Sequence, residues 1–122
     1  MSIYEQIGGQ ETIEKIVDLF YVKVLSDERI NKFFTDVDIN QQKIKQTAFL
    51  TMIMGGQSNY SGKDMGQAHA HLFAKGLTPE HMSALVENLQ STLVEMNLPP
   101  QAIQQFVTKF DSMRKMVFSA QN

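Results

Sequence analysis

The stretch QAHAHLFA, residues 67–74, holds two of the chain's three histidines, His69 and His71, separated by one residue. Imidazole is the commonest protein metal ligand and the side chain most ready to move a proton near neutral pH. The chain contains no cysteine, which removes disulfides, thiolate metal sites and cysteine nucleophiles. A metal would therefore have to be held by histidine, carboxylate or a cofactor. Residues two apart in a helix point about 200° apart around its axis, so His69 and His71 cannot grip one ion from helical backbone. Met65, Ala68, His69, Leu72 and Phe73 fall on one helical stripe, while Gln67, His71 and Lys75 make the opposite, polar face. This spacing turns His69 inward and His71 outward. An inward histidine is more often a hydrogen-bonded core residue than a ligand, and spacing alone leaves both roles open. His71 and His81 read as surface residues, His81 lying in the first turn of its helix.

Other polar residues also fall on apolar stripes. The face through Phe49, Leu50 and Ile53 runs back onto Gln46 and Gln42, and Tyr21 sits between Phe20 and Val24. A buried polar group without a partner costs about 1–3 kcal/mol, so inward amides and an inward phenol must meet one another or a guest. Singly, Gln42 at a rim or Tyr21 reaching water past its ring would be unremarked. Tyr21, Gln46 and His69 together suit a pocket lined by Phe and Met that takes a large apolar cofactor with one reactive atom.

The elements that position these residues are all helical. The stretch ETIEKIVDLFYVKVL puts Ile13, Ile16, Val17, Phe20, Tyr21 and Val24 on one face, and Gly8-Gly9 before it reads as a tight turn after a short first helix. DERINKFFTD predicts a brief helix or turn. DINQQKIKQTAFLTMIM predicts a helix stopped by Gly55-Gly56, and GGQSNYSGKD an irregular loop. A short helical piece is expected from about residue 64 to 75. The next helix takes Thr78 as N-cap and Pro79 as its first residue, with Met82, Leu85, Val86, Leu89, Leu93 and Met96 inward. A last helix after Pro99-Pro100 runs on Ile103, Phe106, Val107, Phe110 and Val117. Period-2 alternation is nowhere sustained, so no sheet is expected. The unequal helices and the central loop also argue against a plain four-helix bundle.

The 122 residues fit one domain over 1–122, and 43% hydrophobic with 20% charged residues is ordinary for a globular protein. No stretch approaches the ~20 apolar residues of a membrane span, and MSIYEQIGG lacks a secretory signal's pattern, so no membrane association and a cytoplasmic location are expected. A net charge of −2 with scattered Lys and Arg provides no basic stripe for nucleic acid. No heptad is long enough for a coiled coil, and a monomer is expected.

Four segments in order, IYEQIGG, LFYVKVLSDERINKFF, KQTAFLTMIMGG and YSGKDMGQAH, carry a resemblance. Over nearly its whole length the chain resembles the truncated haemoglobins, specifically the group I (N-type) members with a two-over-two helical sandwich around haem. The resemblance implies haem b, held non-covalently, with His69 as the axial ligand of its iron. It implies Tyr21 and Gln46 as the distal residues that meet bound ligand, with Gln42 at a distal position that varies in the family. Phe34 would pack on the porphyrin, Phe49 and Leu50 would border the route by which gases enter, Tyr60 and Met65 would touch the haem edge, and Lys45 would reach a propionate. Two departures stand out. Lys45 replaces the distal histidine that ligates iron in some cyanobacterial members, and a lysine does so only when deprotonated. The last helix has no histidine, so the covalent link to a haem vinyl seen in certain members is not expected.

The function so implied is binding of dioxygen, nitric oxide and carbon monoxide at a five-coordinate iron. Stabilised oxygen binding suits oxidation of nitric oxide to nitrate, with a reductase to restore ferrous iron. The alternative is a non-enzymatic protein for storage, transport or sensing of diatomic gas. A haem-free helical interaction module would require His69 and the distal amides to be incidental.

Overall fold

The computed structural model describes residues 2–60, 70 and 73–121, with side chains through residue 112. Helix α1 spans Ile3–Gln6, α2 Gln10–Leu25, α3 Ile39–Ile53, α4 Pro79–Glu95 and α5 Pro100–Gln121, and a 3-10 turn occupies Asn31–Phe34. Among the described residues there is no strand.

Local chemistry accounts for the boundaries. Gly8 and Gly9 turn the chain between α1 and α2 with φ of 112° and 71°, and a Cβ on Gly8 would stand 2.3 Å from the Thr12 hydroxyl. The Asp38 carboxylate accepts from the Gln41 N–H and starts α3. At its other end Gly56 packs so closely that a Cβ would meet the Tyr4 ring at 2.8 Å and Thr51 at 2.9 Å. Helix α4 opens on a reciprocal cap, in which the Thr78 hydroxyl accepts from the His81 N–H and His81 Nδ1 accepts from the Thr78 N–H. His81 is therefore more than a surface residue: it is half-buried, and its ring lies 4.9 Å from that of Phe33, edge to face.

The six residues expected on the inner face of α2 are all buried. Helix α2 packs against α3 on one side and α4 on the other, and α4 packs against α5. The core they enclose contains Ile13, Ile16, Leu50, Leu93 and Phe106, each without measurable exposure. Two details of the inward stripes differ from the spacing. On α4, Ala84 and Thr92 are buried while Leu85, Val86 and Met96 are half-buried, and on α5 Ala102 is buried while Ile103 and Phe110 are half-buried. Small residues settle where helices approach most closely, so the largest apolar side chains are not always the most buried.

The corner between α2 and the 3-10 turn is tied to α4 by charge. Arg29 donates to the Asp27 carboxylate at 2.7 Å and to Glu87 at 2.9 Å, and the Asn88 amide donates to Asp27 at 2.9 Å. The Arg29 guanidinium, then the Asn88 amide, hold the Asp27 carboxyl well below the usual carboxylate range. A depressed folded pKa contributes stability that is complete above the ordinary carboxylate range and is lost as pH falls below it. Asp27→Asn should therefore lower stability at neutral pH and flatten its decline below about pH 4, measured by urea unfolding across pH. An unchanged acid slope would show that the corner contributes nothing.

Candidate functional site

Tyr21 is the natural starting point, because the core offers few other polar groups. The buried polar side chains other than tyrosine, Thr51 and Thr92, donate to the carbonyls of Thr47 at 2.7 Å and Asn88 at 2.8 Å, one turn back on their own helices. Among the described residues, Tyr21 is thus the buried side chain whose polar atom is turned away from its own backbone. It is 2% exposed, and the side chain of Gln42 lies within reach of its hydroxyl. Burial pushes its phenol well above the ordinary range, against a smaller opposing pull from Gln42, so the hydroxyl keeps its proton at physiological pH.

Aromatic rings surround that hydroxyl's side chain. Phe20 and Phe34 lie 5.3 and 5.9 Å from the Tyr21 ring, both edge to face. Further along α3, the Phe49 ring meets Tyr60 at 5.1 Å and Phe110 at 5.5 Å. Tyr60 follows a chain segment held to α3 by the Ser58 hydroxyl, which donates to the Ala48 carbonyl at 2.6 Å. Leu50 is fully buried beside Phe49.

The structure thus brings Tyr21, Gln42 and Phe34 into one cluster and Phe49, Tyr60 and Phe110 into another. Gln46 is half-buried one turn beyond Gln42, and no described residue hydrogen-bonds its side chain. The resemblance pairs the tyrosine with Gln46, and here Gln42, one turn earlier, also comes within reach of its hydroxyl. Both amides are half-buried on one face of α3. Lys45 is exposed on the same helix. His69, His71 and Met65 lie outside the described residues. Phe110 was not anticipated at the site. Its helical spacing marked it as inward, but nothing local says that α5 would bring it to Phe49.

These residues fit a haem by their chemistry. The described core carries no buried carboxylate or ammonium, its walls are aromatic, and it presents one neutral phenol as a donor. An all-helical domain with such a neutral, aromatic interior is the kind that encloses a large flat apolar cofactor.

Comparison with known proteins narrows that class. The family model for bacterial-like globins matches residues 2–119. A group 1 truncated haemoglobin of Tetrahymena pyriformis is 40% identical over 114 residues, covering 93% of this chain and 92% of that protein. One from a Synechocystis species is 44% identical over 103 residues, covering 84% and 83%. Among solved structures, the two-over-two haemoglobin of a Synechococcus species, described with covalently attached haem, superposes with a TM-score of 0.85 at 40% identity over 91% of each chain. The ferric Tetrahymena pyriformis protein superposes with a TM-score of 0.82 at 38% identity over 96% and 97%.

The chain belongs to the bacterial-like globins, within their group 1 truncated haemoglobins. Its fold is the truncated two-over-two globin, its cofactor is haem iron, and its ligands are diatomic gases such as oxygen. Among the described residues, no helix is long and apolar enough to cross a membrane.

Proposed function

We propose that this globin holds haem b non-covalently through His69, binds dioxygen tightly against Tyr21, and oxidises nitric oxide to nitrate. When bound, the haem iron supplies reversible gas binding and the redox step, in which nitric oxide, dioxygen and one electron give nitrate. A separate reductase would return that electron. The last helix has no histidine to join to a vinyl group, which supports an extractable haem.

The observation that carries this reading is the buried Tyr21 side chain with the Gln42 amide within reach of its hydroxyl. A Gln42 amide that donates to the phenolic oxygen leaves the phenolic proton free to meet a ligand that gains negative charge on binding. Such a preorganised donor costs no reorganisation when the charge develops. Gln46, on the same face of α3 and without a described partner, is the second amide able to join it. Phe20 and Phe34 pack edge-on against the Tyr21 ring and leave the side chain 2% exposed, and exclusion of water strengthens the donor's electrostatic effect.

Mixing the oxygenated protein with nitric oxide tests the enzymatic part. Ferric protein and stoichiometric nitrate should form far faster than oxygen dissociates, and turnover should be sustained when a reductase system is added. Oxidation no faster than oxygen release would leave a protein of storage, transport or sensing.

A further inference from the structure

Lys75 makes an unusual pair of contacts. Its ammonium donates to the backbone carbonyl of Phe33 at 3.3 Å and to the Asp36 carboxylate. The lysine side chain is only 22% exposed, whereas Asp36 is 68% exposed. Exposed ion pairs hold elements together weakly. A mostly buried lysine side chain whose ammonium is bonded to a main-chain oxygen is a stronger tie, because breaking it leaves that carbonyl short of a partner.

The two ends of this tie matter more than its strength. Phe33 belongs to the 3-10 turn whose next residue, Phe34, packs edge-on against Tyr21. Phe33 is held again from α4, where the His81 ring covers it. Lys75 lies six residues beyond His69 and two beyond Phe73, which packs against the core. The contact therefore spans 42 residues of sequence and joins the chain that follows His69 to the turn that carries Phe34.

We propose that Lys75 is a positioning residue, a clasp that ties the chain six residues after His69 to the Phe33-Phe34 turn and so slows the loss of haem. The clasp rests on His69 being the axial ligand. By fixing the chain a short distance after that histidine, it restricts both the escape of haem and the orientation of the imidazole. Arginine could preserve both contacts, and methionine would keep the aliphatic stem while removing the donor.

The test uses the full chain loaded with haem, in wild type and in Lys75→Met, Lys75→Arg, Asp36→Asn and Lys23→Met. Lys23 pairs with Glu95 at 2.7 Å and serves as a control for stability alone. Transfer of ferric haem to excess apomyoglobin is measured with the iron–histidine stretching band of the ferrous protein and the thermal midpoint. Lys75→Met should lose haem about tenfold faster and shift or broaden the band. Lys75→Arg should restore most of both. Asp36→Asn should accelerate loss by about twofold, and it carries the test if Lys75→Met does not fold. Lys23→Met should lower the thermal midpoint alone.

Wild-type rates and an unaltered band in Lys75→Met overturn the clasp, as does equal acceleration in Lys23→Met. Unchanged haem loss in Asp36→Asn overturns it if that variant must decide. A wild type without a histidine-ligated band overturns the His69 reading and the clasp with it, whereas a normal wild-type band beside an inert Lys75→Met sinks the clasp alone.

Discussion

Replacing His69 with alanine is expected to abolish the histidine-ligated haem spectrum in the ferric, ferrous and ferrous-carbonyl forms, while His71→Ala leaves all three unchanged. The argument is one of helical geometry combined with the family. Residues two apart project to opposite sides of any helix, and in the sequence pattern only position 69 continues the stripe of Met65, Leu72 and Phe73. The group 1 truncated haemoglobins are haem proteins, and the MGQAH segment is the place where the resemblance puts the iron ligand. Losing the metal bond leaves only packing and propionate contacts to hold the porphyrin. His69→Ala should therefore bind haem at least about 100-fold more weakly, and added imidazole should restore much of the lost spectrum. A His69→Ala protein with the wild-type spectra would remove His69 as ligand. Loss of the spectrum in His71→Ala instead would reverse the assignment of faces.

The second large effect falls on the distal side. Tyr21→Phe deletes the one buried phenol and retains the ring that packs between Phe20 and Phe34, so the core should stay intact. A hydrogen bond to a group bearing charge is worth about 1.5–3 kcal/mol, which corresponds to oxygen release faster by roughly 10- to 100-fold. Carbon monoxide gains far less negative charge on binding, and its release should change only about twofold. Stopped-flow dissociation of both gases separates the two outcomes. Equal effects on both would point to altered access past Phe49 and Leu50 rather than to a lost donor. Gln42→Leu and Gln46→Leu divide the amides' shares. The proximity of Gln42 to the Tyr21 hydroxyl predicts the larger change in oxygen release for Gln42, and a larger change for Gln46 would make it the working partner of Tyr21.

Much of the scaffold was legible because its signals are local. The apolar face of α2 was readable because six residues at helical spacing all bury, and its start because Gly8 and Gly9 take backbone conformations that glycine adopts freely. Thr78 and Pro79 announced α4 for the same kind of reason, since a cap and its first turn are neighbours in sequence. His81 was harder. Its position showed a first-turn residue, but the Phe33 ring it covers comes from another part of the chain.

Legible in the residues alone were the inner face of α2 with Tyr21 on it, the half-buried side of α3 that carries Gln42 and Gln46, and the starts of α2 and α4; the inward face expected for His69 lies outside the described residues. Those properties follow from a 3.6-residue period and from bonds spanning three or four residues. Which inward groups meet was set by the packing of distant elements: Tyr21 with Phe34, Phe49 with Phe110, and Lys75 with the Phe33 carbonyl. A face has direction but no address. The partner depends on how far each helix slides and rotates against its neighbour, and close packing of the whole core sets that placement.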